Sequence, residues 1–326
     1  QAFWNCTVLQ EVVLPESLKR IDNWAFRGCT SLQSVTLPES LVSLGSGVFW
    51  GSGLQSMIIP ASVNFIDQGA FANCDDLHFL SVSPNNPVYH TDGGEYDFQN
   101  NIIETATNTL IAASADGPIP RSVTTIGKNV FQGQDELFEK EIPASVTTIQ
   151  HWAFGECPKL TRLYVYGETA PVLEESFPFE SCPNLTTVYV RPGTAGSYIS
   201  GGWEKFTIEE MPEYYEVNGV WYRLNFDDQT AEVVNCQSGS YSGDINIWSS
   251  FNSTLVGSFK VTSIANNAFY GAELSSLIIQ DGSIKTIGNH AFWGVTGVGE
   301  VVIPESVEHI GHGAFGRGGY ESITIP

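Results

Sequence analysis

Apolar and polar side chains alternate with a period of two in short runs along this chain, as in Ser34-Val35-Thr36-Leu37, and each run is closed by proline: Pro15, Pro38, Pro60, Pro143, Pro304. A period of two predicts strands with one face buried, so Val35 and Leu37 are expected to point inward and Ser34 and Thr36 outward. Proline has no N–H to give a ladder, which marks where each strand stops pairing. Between strands the pattern is columnar. Phenylalanine recurs at 3, 26, 49, 71, 131, 154, 179, 269, 292 and 315, mostly at steps of 22 or 23 residues. In step with it run an Ile/Leu column before (Ile21, Leu44, Ile66, Ile126, Ile149, Ile264, Ile287, Ile310), a Cys column three residues after (Cys6, Cys29, Cys74, Cys157, Cys182) and a Leu column beyond that. One such unit cannot bury its apolar side alone, so copies are expected to stack into a repeat solenoid.

The pattern divides the chain into an array at 1–211, a lead-in at 212–260 and a second array at 261–326. Within the first, residues 84–120 form an elaborated repeat carrying strands at 101–104 and 109–113, expected to stay in the stack. Residues 191–211 carry no repeat columns but hold Tyr198, Trp203, Phe206 and Ile208, as a terminal cap covering the last apolar face would. In the lead-in, alternation predicts a hairpin of strands 217–224 and 231–234 around Asp227-Asp228. Lys140 falls where the columns require an apolar side chain and puts the register of its strand in question.

The motif I-G-x-x-A-F-x-G-C-x-x-L-x-x-V-x-I-P-x-S-V, repeated about ten times over nearly the whole chain, resembles the BspA-like leucine-rich-repeat family of bacterial cell-surface proteins. The resemblance implies a right-handed coil, β-rich α/β, with parallel strands on one face. It also implies an exported, surface-attached or secreted protein used in adhesion or partner binding, with no catalytic residues to carry over.

Charge narrows the partners. With 36 acidic against 14 basic residues the net charge is −22, which repels nucleic acid and anionic membranes and keeps an exposed protein soluble. No apolar run is long enough to span a bilayer. Because the chain begins inside a repeat and stops at a strand end, both ends of the solenoid are expected to lie outside it, as is any export leader. Five of the six cysteines share a repeat column and are expected to be free thiols packed as small apolar groups; none has zinc-site spacing.

Chemistry-bearing motifs dissolve on inspection. Gly311-His312-Gly313-Ala314-Phe315-Gly316 fits a dinucleotide fingerprint only because the repeat supplies those glycines; no βαβ unit surrounds it. Residues 239–243, GSYSG, have tyrosine where a hydrolase elbow needs serine. His290, His309 and His312 match no defined metal geometry and read as variable surface positions, and Asp92 with Glu95 and Asp97 fits no defined calcium loop and reads as a solvated turn. No enzyme, cofactor or metal is expected.

Two groups of aromatic residues remain as candidate binding residues. The first occupies outward positions of the strands: Phe79, Tyr164 and Tyr189, with Arg162 beside them. The second sits at variable turn positions, Trp4, Trp50, Trp293 and Tyr270 just after the Phe column, and Trp24 and Trp152 two before it. The turn rings read most simply as lids over the phenylalanines beneath them, which leaves the concave strand face as the expected recognition surface. The functional expectation is a monomeric adhesion or protein-binding module for a host or bacterial surface protein, or else a glycan-binding one.

Overall fold

A computed structural model describes residues 1–92, 100–174 and 177–325. Glu95 and Asp97 lie outside the described residues. The chain forms two compact units, Gln1–Glu210 and Met211–Pro326.

Each unit is a coil of stacked repeats in which the predicted columns become continuous rows. In the first, Phe3, Phe26, Phe49 and Phe71 stack ring on ring at 5.0, 5.6 and 5.7 Å, and Phe131, Phe154 and Phe179 at 4.9 and 5.3 Å. In the second, Phe269, Phe292 and Phe315 do so at 4.9 and 5.0 Å. The Ile/Leu column supplies two-residue parallel strands, Arg20–Ile21 on Ser43–Leu44 on Phe65–Ile66, then Thr125–Ile126 on Thr148–Ile149 on Val172–Leu173. On the other side of the core run the longer strands, Ser56–Ile59 beside Phe79–Val82, and Glu139–Ile142, Arg162–Val165, Thr187–Val190 and Thr207–Glu210 in one parallel sheet.

Residues 34–37 keep the expected alternation, Val35 and Leu37 buried and Ser34 and Thr36 exposed, yet they are not part of a ladder. Inward burial fixes the alternation, but a ladder needs successive bonds to the next coil, and the backbone bond there is from Gln55 N–H to Gln33 C=O. The elaborated repeat does stay in the stack. Its strands Asn101–Glu104 and Thr109–Ala113 pair antiparallel, and the second continues in parallel onto Thr125–Ile126.

Lys140 is in register with Leu163 and buried, so the strand is not shifted; the side chain itself is accommodated. Its ammonium donates to the carbonyls of Ala115 at 2.7 Å and Gly117 at 2.5 Å, and lies 4.6 Å from the centre of the Phe131 ring. A cation takes an apolar position by binding the loop that leaves the elaborated repeat.

The cap closes the first unit as a short helix, Ala195–Ser200, and one more strand on the sheet. Tyr198 and Trp203 are fully buried, donating to the carbonyls of Gly167 and Pro171. Rings this large are buried without polar cost because each hydroxyl or indole N–H has an acceptor.

The second unit corrects the lead-in hairpin. Residues 217–224 are not one strand but the end of Tyr214–Val217 and most of Val220–Asn225, folded back at Asn218-Gly219, whose φ values of 49° and 81° make the tight turn that matches strand twist. Thr230–Val233 then pairs antiparallel with Val220–Asn225 and parallel with Gly257–Ile264. Tyr241 is buried at 4.3 Å from Phe269 and donates to Val234 C=O, which gives the tyrosine of GSYSG a packing role.

Candidate functional site

The repeat turn sets the site. In every repeat but those of Phe3 and Phe179, the residue two before the column phenylalanine has positive φ; so does the residue two after, in all of them. Glycine or asparagine occupies most of these places, as left-handed backbone favours. Trp24 at 58°, Trp152 at 54° and His290 at 53° occupy the position before. A bulky residue held left-handed is strained by about 1 kcal/mol or more, and such strain concentrates at functional places.

The turns are tied to one another from coil to coil. Trp24, Phe26 and Gly28 donate their backbone N–H groups to the carbonyls of Ser46, Val48 and Trp50 on the next coil at 3.0, 2.8 and 2.8 Å. The backbone positions that carry this corner's side chains are therefore set by bonds to the next coil.

Just after the Phe column the first three coils place Trp4, Arg27 and Trp50. The Arg27 guanidinium carbon lies 6.0 Å from the Trp4 ring centre, 6.0 Å from Trp24 and 5.5 Å from Trp50. These are outer distances for cation–π attraction, worth about 0.5–1 kcal/mol each near solvent. No carboxylate pairs with Arg27 among the described residues, whereas Arg20, Arg162 and Arg191 lie against Asp22, Glu139 and Glu168. Beside this cluster opens a cleft of about 340 Å³, lined by Trp24, Arg27, Ser46, Trp50, Gln68, Asn129 and His151. It exists because the left-handed column reads Gly47 and Gly69 between Trp24 and Asn129: absent side chains leave the space that flanking rings wall. The polar lining is partly committed, Ser46 Oγ donating to Gln68 C=O at 3.2 Å, while His151 Nδ1 is buried without a partner among the described residues.

The strand-face candidates fare differently. Phe79 is 39 % exposed, but Tyr164 is wholly buried, against the expectation that it stands in water. It lies between Glu141 and Tyr189 on the flanking strands, the two tyrosine rings 5.4 Å apart, with Glu139 Oε2 3.5 Å from its hydroxyl. In-register parallel pairing stacks like positions, so neighbours shield a ring that one strand alone would expose. Burial first, then the Glu139 charge, raises the Tyr164 phenol above its ordinary range. Tyr189 is half-buried, and Arg162 lies 3.9 Å from Glu139. Phe79 and the Tyr164–Tyr189 pair stand in different sheets.

In the second unit Tyr270 is 59 % exposed, and Trp293 is half-buried against His290 at 4.8 Å, with Arg317 5.4 Å from its ring centre. His290 and His312 meet edge to face at 5.5 Å. Among the described residues no group of three or more His, Cys, Asp or Glu is placed to hold a metal ion. The cysteine column has a local reason: the thiols of Cys29, Cys74, Cys157 and Cys182 donate to the carbonyls of Phe3, Phe49, Phe131 and Phe154, each one coil back in the stack.

Arg27 escaped a search for exposed aromatics because it is charged, although the order Trp4, Arg27, Trp50 in one column was there to read. Ser46, Gln68, Asn129 and His151 carry no sequence signal beyond their columns.

The chain belongs to the BspA type leucine-rich repeat family: the family model matches six copies over residues 1–110, 116–200 and 248–326. No curated protein matches it. Among solved structures it is similar to a leucine-rich cell surface protein of Faecalibacterium prausnitzii, at 23 % identity over 65 % of this chain and 62 % of that one, TM-score 0.47. Leucine-rich repeat proteins of Eubacterium ventriosum (20 % identity, 95 % and 71 % of the two chains, TM-score 0.43) and Bacteroides ovatus (19 %, 97 % and 72 %, TM-score 0.34) are also similar. The chain spans less than two thirds of the length of the F. prausnitzii protein.

Proposed function

We propose that this protein is a non-enzymatic recognition module of a secreted or surface-attached protein, acting in adhesion, and that it meets its partner through the turn corner of the first unit rather than the strand face. The observation that carries this reading is Trp24: exposed by 39 %, strained in a left-handed position where glycine would fold better, and walling a cleft beside an unpaired guanidinium. Backbone geometry does not account for that residue. Family membership supports a binding role, since stacked repeats present extended surfaces to partners. No helix among the described residues is long and apolar enough to cross a membrane.

Attachment of the labelled protein to epithelial monolayers and to bacterial cells tests the reading, with a Trp24→Ser/Trp50→Ser variant alongside. Attachment should fall at least about tenfold, as loss of two anchoring aromatic residues implies. Undiminished attachment by a folded variant excludes the turn corner. A second reading, in which the rings stack on sugars, is favoured by the amide and hydroxyl groups of Ser46, Gln68 and Asn129 in the same cleft as the two Trp rings.

A further inference from the structure

Resting on the turn corner as the recognition surface, we infer that the cleft binds a sugar bearing a single carboxylate, of the uronic or sialic acid kind, with the carboxylate on Arg27 and the ring against Trp24 and Trp50. Indole attraction acts on the face of a guanidinium, whereas its five N–H groups lie in its plane. Trp24 and Trp50, at 6.0 and 5.5 Å, flank the Arg27 guanidinium, and no carboxylate takes its donors among the described residues. A planar fork of donors with no carboxylate partner, in a chain of net charge −22, is complementary to an anion it does not itself supply. The same net charge opposes ligands carrying runs of carboxylates, such as acidic peptides, more strongly than a ligand with one isolated negative charge. The remaining lining offers hydroxyl groups the Gln68 side-chain amide and the Asn129 Oδ1, the Asn129 NH2 being donated to Gln132. A cleft of about 340 Å³ has room for one or two sugar rings.

The test is saturation-transfer NMR and titration of the full chain with N-acetylneuraminic acid, glucuronic acid, their methyl esters and methyl glucoside. At least one acid should bind saturably, its ester at least about tenfold more weakly, and Arg27→Gln should weaken the acid to the level of the ester, as loss of a bidentate charged contact implies. Which of the two acids binds separates uronic from sialic ligands. Arg27→Lys, which keeps the charge but loses the fork, should fall between and guards against misfolding of the glutamine variant. Equal binding of acid and ester, unchanged affinity in Arg27→Gln, or no binding of either acid overturns the inference. If the acids fail while Trp24→Ser/Trp50→Ser still abolishes cell attachment, the turn corner stands and only the acidic sugar is lost; if that variant attaches normally, the underlying reading falls.

Discussion

Trp24 lies directly over Gly47 of the next coil: a Cβ built on Gly47 would sit 2.6 Å from Trp24 Cδ1 and 2.8 Å from its Nε1. Gly47 also has φ of 55°, so it is required twice over, by backbone and by neighbour. Gly47→Ala should therefore lower stability by about 1–3 kcal/mol and displace the indole, seen as a shift in tryptophan emission together with a lower urea midpoint. An alanine variant with unchanged emission and midpoint would show that the ring does not rest there.

Trp24 itself should be dispensable for folding. Trp24→Asn replaces a strained bulky residue with one that tolerates left-handed backbone, so thermal stability should stay within about 1 kcal/mol of the wild type or rise, while cell attachment falls. Loss of several kcal/mol in a melting experiment would make the indole a structural lid instead.

The phenylalanine row behaves in the opposite way. Phe49 is fully buried, stacked on both Phe26 and Phe71, and Phe49→Ala should cost about 3–5 kcal/mol. Because each coil touches only its neighbours, hydrogen exchange should quicken in the coils of Phe26 and Phe71 and leave the cap around Trp203 slow. Uniform acceleration through the unit would contradict nearest-neighbour stacking.

Lys140 makes stability depend on pH. Burial lowers its amine from 10.5 to about 8, the nearby Asp116 and Glu141 charges opposing the shift only in part. Above about pH 8 the folded amine loses its proton while the unfolded chain keeps one until about 10.5, so the unfolded state binds more protons and stability rises with pH across that window. Compared with Lys140→Met, which shares every other titrating group, the wild type should gain about 2 kcal/mol between pH 8 and 10. A difference that stays flat with pH would place the amine in water.

The period, the columns, the cap and the continuity of the elaborated repeat were all legible, because each depends on residue types that recur at fixed spacing. What was not legible depends on pairs of coils. Tyr164 looks exposed from its own strand and is covered only because Tyr189 and Glu141 fall beside it. The split of 217–224 required giving Asn218-Gly219 more weight than the alternation across it, a two-residue turn signal overridden by a longer pattern. Lys140 looked like a register error; the carbonyls of Ala115 and Gly117 that satisfy it lie a coil away. The Trp–Arg corner was half seen, its rings found and its cation missed.

Blocking each face in turn tests the turn-corner account most directly. In a Cys6→Ser/Cys182→Ser/Cys236→Ser background, which leaves only the buried thiols of Cys29, Cys74 and Cys157, a single cysteine is placed at Ser46 in the cleft or at Thr187 on the strand face and coupled to a maleimide polyethylene glycol. Labelling Ser46→Cys should reduce cell attachment at least about tenfold and labelling Thr187→Cys should leave it within about twofold, as steric exclusion from one surface requires. Attachment that survives a blocked cleft and is lost with a blocked strand face would contradict the account.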